Sequence, residues 1–406
     1  MSKNKQELVK NIINFGFIDI MGMIIPIISM PILTRAIGAE QYGQYILFLS
    51  ILIFGHTFID YGIQYIGVRD IAKRRYSDIS VKYIYEKYQG VRFLFLFLYS
   101  ISIIVYSIFF LDSLFIQYIF IYGIPYLLGY FLTSAWFFQG IGKTKFLLIT
   151  TLISKIINLI VIILFVNNEE DTYLVLASTT WSVLLTGLLL YLMTRSRFKT
   201  NLFSLRKLFP TIKKGKDVFI GILAPNFYNS IPIIILGTIS SPVDFAKFAV
   251  ANRLCSIIVT FQNVISKSVY PILTIQKKSH ANKLAIINSL ISIPIVIFII
   301  LWGNEAISLF LGKDFSDSNQ YLIIFSIGII MLGISNSYGE GFLLPHGYDK
   351  KYRNVSLIVS ILSSIISYIL IYYFGLLGGA LALTIARALF SFGFYISYLG
   401  VKNAHN

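Results

Sequence analysis

The chain has 406 residues, of which 56% are hydrophobic and 13% charged, and its formal net charge is +16. Soluble proteins carry roughly 25% charged residues, so this composition excludes a soluble globular domain. The single cysteine, Cys255, excludes a disulfide framework and a thiolate metal site.

Twelve apolar stretches predict spanning helices, each long enough to cross a bilayer. They lie near 12–33, 42–67, 91–111, 114–139, 146–166 and 173–193, then 218–239, 245–275, 284–303, 319–344, 354–374 and 377–400. Together they predict an all-α polytopic membrane protein with twelve transmembrane helices in two six-helix bundles. The bundles are 1–193 and 218–406, joined by a basic linker over 194–217 that contains Pro210. The N-terminus is polar for ten residues and carries no cleavable signal pattern, so the first span is expected to act as an uncleaved insertion signal.

Charge alternates along the chain. Of the 34 Lys and Arg residues, 27 fall in one alternating set of segments, including 68–92 (with Arg92) and 195–216. The opposite set holds only Arg35, Lys247 and Lys313, with nine acids. This positive-inside pattern predicts that both termini are cytoplasmic. It assigns the positive charge to a membrane surface, attractive to anionic lipid, and leaves no nucleic-acid reading.

The two halves repeat weakly at an offset of 203 residues. Leu33–Tyr45 lies against Leu236–Phe248, so that Tyr42-Gly43-Gln44-Tyr45 matches Phe245-Ala246-Lys247-Phe248. Both halves then start on the same side, which makes the repeat parallel. Pro26 and Pro31 are expected to interrupt the first helix of one half, and Pro225 and Pro232 that of the other.

Seven charges fall inside the apolar stretches: Asp19, Asp60, Lys155, Arg253, Lys267, Glu340 and Arg387. A charge at mid-bilayer costs about 2.5–3.5 kcal/mol or more, so such residues face a hydrated cavity or a partner. Spacing of three or four residues puts polar groups on shared helix faces. These faces are His56–Asp60–Gln64, Thr151–Lys155–Asn158, Asn263–Lys267, Asn336–Glu340 and Thr384–Arg387–Ser391. The uncharged seventh span adds Asn226, Asn229 and Ser230. Structural salt bridges are one reading of these charges, and a hydrated path for an anion is the other. No Walker A, no HExxH and no Cys/His cluster occurs, and the outer loops are too short to house a catalytic domain, so no enzyme is expected.

Several motifs resemble bacterial polysaccharide (O-antigen) flippases of the multidrug/oligosaccharidyl-lipid/polysaccharide exporter superfamily. They are Asn11 with the Pro26 and Pro31 run, Leu33-Thr34-Arg35-x-x-Gly38-x-x-x-Tyr42-Gly43, Gln139-Gly140 followed by Lys143, and Leu309-Phe310-Leu311-Gly312-Lys313-x-Phe315. The resemblance implies a V-shaped transporter in the bacterial inner membrane that flips an undecaprenyl-pyrophosphate-linked oligosaccharide by alternating access. It implies Lys155, Arg253, Lys267 and Arg387 for the pyrophosphate, and Asn226, Asn229 and Asn263 for sugar hydroxyls. Asp19, Asp60 and Glu340 would serve H+ or Na+ coupling or salt bridges. No cofactor or metal is expected. Partners would be the lipid-linked oligosaccharide, membrane lipid, a polysaccharide polymerase and chain-length proteins. A lipid II flippase and a multidrug antiporter of the same superfamily are the alternatives.

Overall fold

The computed structural model describes residues 21–403, apart from 23, 276–280, 344–345 and 347, and describes the backbone alone for 260–275, 291 and 349. Asp19 and Asn11 lie outside the described residues, and so do the side chains of Asn263 and Lys267. Among the described residues every regular element is helical. In chain order these are α1 (Ile24–Ala36), α2 (Gly38–Asp60), α3 (Ile63–Arg74), α4 (Asp78–Phe110), α5 (Ser113–Tyr118), α6 (Ile124–Thr133), α7 (Ala135–Gly140) and α8 (Thr144–Phe165). There follow α9 (Thr172–Phe198), α10 (Leu208–Leu223), α11 (Asn226–Asn229), α12 (Ile231–Ile239), α13 (Pro242–Ile275), α14 (Ala281–Leu311), α15 (Ser318–Tyr338) and α16 (Asp349–Lys402). Nine helical runs among the described residues are long and apolar enough to cross a membrane. The protein is an all-α polytopic membrane protein.

Its apolar residues face outward as much as inward, as lipid permits. On α8, Ile153, Ile157 and Ile163 are about half exposed, whereas Leu147 and Ile162 are buried. The chain forms two compact units, Met1–Leu223 and Ala224–Asn406. One core of the first unit gathers Tyr61, Tyr85, Tyr88, Trp136, Phe137 and Leu190. One core of the second gathers Tyr338, Phe342, Phe394 and Tyr398.

The aromatic steps that relate the two halves in sequence are equivalent in structure. Tyr42 and Tyr45 are buried near the start of α2 with ring centroids 6.3 Å apart, and Phe245 and Phe248 are buried near the start of α13 at the same 6.3 Å. Gly43 and Ala246 between them are buried too.

Backbone breaks depart from the hydropathy pattern. The stretch 42–67 is not one helix: α2 stops at Asp60, and Tyr61 (φ 44) and Gly62 (φ 75) turn the chain into α3. A side chain on Gly62 would meet Val218 at 2.8 Å, so the turn needs glycine for space as well as for its backbone. Gln64 therefore does not continue the face of His56 and Asp60, and the expected three-residue stripe is broken. Pro31 sits inside α1 without ending it, whereas the helix of the second half is interrupted at Ala224–Pro225 and at Ser230.

The 68–92 segment, expected as a basic loop, is mostly helix. Ser77 caps α4 by accepting from the Ser80 amide at 3.4 Å, so α4 starts at Asp78 rather than near 91. Between the spans expected at 354–374 and 377–400, Gly375 (φ 53, ψ −127) turns α16 back on itself. The two limbs then pack, with Tyr352 stacked on Phe394 at 4.9 Å.

Candidate functional site

In the first unit, two helix interruptions and two charges meet. Ser134 adopts φ 44 between α6 and α7, which leaves carbonyls at the α6 C-terminus without intrahelical partners. Arg92 reaches them from α4: Nη1 donates to the Phe131 carbonyl at 2.6 Å and Nη2 to the Tyr130 carbonyl at 3.2 Å. Nη1 also donates to Gln89 Oε1 at 2.9 Å and Ser134 Oγ at 3.3 Å.

Nη2 lies 3.2 Å from Asp60 Oδ1, and the Tyr130 hydroxyl donates to Asp60 Oδ2 at 2.6 Å. The Arg92 side chain is 2% exposed and that of Asp60 14%. Attraction in so dry a place is strong, and it offsets desolvation because hydrogen bonds satisfy most of both groups. His56 stacks on Tyr130 with ring centroids 3.5 Å apart, and its Nε2 is buried without a hydrogen bond.

Arg92 corrects the sequence reading, which counts it with the cytoplasmic 68–92 segment. The structure buries it because α4 begins a dozen or so residues before the apolar stretch. The signals were present: a Ser77-Asp78 helix start and Gln89 one turn before Arg92 on the same face.

Other candidates of the first unit are placed as follows. Lys155 extends toward Gly22, with Nζ 3.0 Å from where a Cβ on that residue would stand. Asn158, one turn on, donates to Ser178 Oγ at 3.0 Å and Thr179 Oγ1 at 3.4 Å, so it ties α8 to α9. Thr151 is half-buried on the same helix.

In the second unit, Arg387 is half-buried on α16, and its Nη1 donates to the Phe325 carbonyl at 3.4 Å. Gly328 makes the room: a Cβ there would meet Arg387 Cδ at 3.0 Å and Nη1 at 3.1 Å. Its titratable neighbours are Cys255 and Tyr228, both neutral groups, and among the described residues no carboxylate pairs with it. Thr384, on the same face, donates to the Ile324 carbonyl at 2.9 Å, and Ser391 is buried.

Arg253 is half-buried on α13. Asn226 accepts from Ser230 Oγ at 2.6 Å, while Asn229 is exposed. Glu340 lies in a π turn, Gly339–Leu343, that follows α15, and Asn336 near the end of α15 is buried. Asn288, absent from the polar faces read in the sequence, is fully buried and donates to the Gly333 carbonyl at 3.1 Å and Ser337 Oγ at 3.0 Å. Among the described residues no three His, Cys, Asp or Glu side chains cluster as metal ligands.

At one end of the first unit, α10 is clasped to α3 and α4. Lys214 Nζ and the Tyr88 hydroxyl both donate to Asp70 Oδ2, the latter at 2.7 Å. Burial pushes the Asp70 carboxyl up, but these two bonds and the Lys214 and Arg69 charges outweigh it and hold it below the usual carboxylate range. The preceding strand of chain is strapped to α4: the Ser204 amide donates to the Glu86 carbonyl at 2.9 Å, and Phe203 stacks on Phe93 at 4.1 Å.

Comparison with known proteins points one way. The family described as polysaccharide biosynthesis protein matches residues 8–277. The assigned O-antigen transporter of Escherichia coli strain K12 is 24% identical, over 96% of each chain. Among solved structures, an inward-facing multidrug-resistance MATE-family transporter of the MOP superfamily superposes with a TM-score of 0.70 at 14% identity, covering 97% of this chain and 98% of that one. The lipid II flippase MurJ, in an inward closed conformation, gives 0.71 at 17% identity, covering 96% of this chain and 87% of that one. These two likenesses show the fold.

Proposed function

Because the chain belongs to the polysaccharide biosynthesis protein family, we propose that it is a flippase for a lipid-linked oligosaccharide. In this reading twelve helices cross the bacterial inner membrane with both termini in the cytoplasm. By alternating access the chain carries an undecaprenyl-pyrophosphate-linked repeat unit to the outer leaflet, where a polymerase and chain-length proteins take it over. Its O-antigen-transporter relative supports the substrate class.

The observation that carries the proposal is Arg387. A guanidinium held in an apolar helix with, among the described residues, one long hydrogen bond and no acid beside it has donors to spare for an anion. Its planar fork matches the oxygens of a pyrophosphate, which a cationic drug would not offer. Lys155 and Arg253 supply further positive charge, with Lys267 outside the described side chains, and Asn226 and Asn229 are groups for sugar hydroxyls. Coupling to H+ or Na+ is assigned to carboxylates: a proton on Asp60 would weaken its pairing with Arg92 and loosen the joint between α4 and α6, and Glu340 is the second such group.

The test is complementation of a strain that lacks its own repeat-unit flippase but retains the matching glycosyltransferases. Wild type should restore surface polysaccharide, Arg387→Ala should lose at least tenfold at equal protein level, and Arg387→Lys should recover part. Full activity of Arg387→Ala would overturn the role of this cation. Rescue of a lipid II flippase-deficient strain, or of drug resistance, in place of polysaccharide export would overturn the substrate.

A further inference from the structure

Most polar groups around Arg387 are spent on backbone carbonyls of α15. Thr384, one turn before it, donates to the Ile324 carbonyl at 2.9 Å. The Cys255 thiol, from α13, points at the Leu322 carbonyl 3.9 Å away. Arg387 itself gives one donor to the Phe325 carbonyl. Tyr228 on α11 is the exception. It is close enough to Arg387 for each to act on the other's charge. Among the described residues its hydroxyl has no hydrogen-bond partner.

The local sequence puts Tyr228 there. Pro225 and Pro232 have no amide to give to the Gly221 and Tyr228 carbonyls, and the chain breaks on both sides of α11. The short α11 then turns the Tyr228 ring onto Phe390 of α16, with centroids 5.6 Å apart and planes tilted by 41°. Phe390 stands three residues after Arg387, so the two share a helix face. An apolar contact therefore holds the ring beside the guanidinium, and the hydroxyl takes no part in holding it. Both side chains are half-buried, so neither is sealed in the core. A pyrophosphate brings more oxygens and more charge than one guanidinium can meet. A phenol adds a donor for an oxyanion without placing a second charge in the membrane.

We propose that Tyr228 is a further substrate-binding residue, whose hydroxyl donates to one pyrophosphate oxygen while Arg387 holds others. The inference rests on the flippase reading and deepens it: within the second unit the anion bridges α11 and α16. The residue has two separate parts in this role. Its ring keeps it in place against Phe390, and its hydroxyl meets the ligand.

The experiment titrates the full chain in detergent with inorganic pyrophosphate at constant ionic strength and follows binding by calorimetry. Tyr228→Phe keeps the ring on Phe390 and removes the hydroxyl alone. It should weaken pyrophosphate binding about tenfold, the loss of one charge-assisted hydrogen bond. Its melting temperature without pyrophosphate should stay within about 1 °C of wild type, which a structural role for the hydroxyl would not allow. Arg387→Ala should weaken binding further, and adding Tyr228→Phe to it should change little, because the two residues act on one anion. Equal pyrophosphate affinity in wild type and Tyr228→Phe overturns the proposal, and so does a wild type that binds no pyrophosphate. A clear fall in the ligand-free melting temperature of Tyr228→Phe overturns it as well. Complementation is scored separately: a wild type that exports polysaccharide while Tyr228→Phe binds pyrophosphate normally keeps the flippase and loses this residue. Pyrophosphate binding that needs both residues in a chain that exports nothing does the reverse.

Discussion

Replacing Arg92 by methionine keeps an apolar stem in place and removes the guanidinium. Asp60 then stays buried beside Tyr130 with no counter-charge, and the Phe131 and Tyr130 carbonyls lose their 2.6 and 3.2 Å donors. Breaking a buried ion pair by removing one partner costs about 3–5 kcal/mol. At about 2–4 °C per kcal/mol for a unit of this size, purified Arg92→Met should melt at least roughly 6 °C below wild type in the same detergent. Asp60→Asn alone should also destabilise. The double variant removes both charges, so Asp60→Asn should cost clearly less in the Arg92→Met background than in wild type. An interaction of more than about 1 kcal/mol in that cycle is the expected outcome for groups in contact. The reasoning fails if Arg92→Met melts within 2 °C of wild type, or if the two substitutions simply add.

Asp70 makes the docking of α10 pH-dependent. Its pKa in the folded protein is held below the ordinary value of about 3.9, so its contribution is complete above that value and fades as pH falls through the lower folded value. Proteolysis within 199–207 should accelerate below about pH 4 in wild type and be faster already at pH 6 in Asp70→Asn; identical pH profiles for the two would refute the clasp. A side chain on Gly187 would stand 2.2 Å from the Gly129 carbonyl, and one on Gly129 2.6 Å from the Leu184 backbone, so α6 and α9 touch through glycine. Gly187→Ala should destabilise by about 1–3 kcal/mol and lower the yield of folded protein in membranes, and an unchanged melting temperature would show that the helices can part freely.

The sequence alone determined that the chain is an all-α polytopic membrane protein. Insertion of a span is a sum over about twenty side chains, and no detail of packing alters that sum much. It also carried the repeat, because the steps at Tyr42–Tyr45 and Phe245–Phe248 are local patterns whose rings end up at the same spacing. The hairpin at Gly375 fell between two spans for the same reason.

Only the tertiary structure decided what the polar residues do there. Asn158, read as a possible cavity residue, is a helix-to-helix tie to Ser178. Asp60 acquired a partner that counting charges could not supply, since Arg92, at the edge of the apolar stretch 91–111, reads as part of the basic 68–92 segment yet lies inside the fold. The turns at Tyr61–Gly62 and Ser134 leave no strong mark on hydropathy, although the one at Ser134 creates the free carbonyls that Arg92 caps. Burial is additive along a chain and can be read one residue at a time, whereas a hydrogen bond or an ion pair depends on where a second group stands, and folding sets that position.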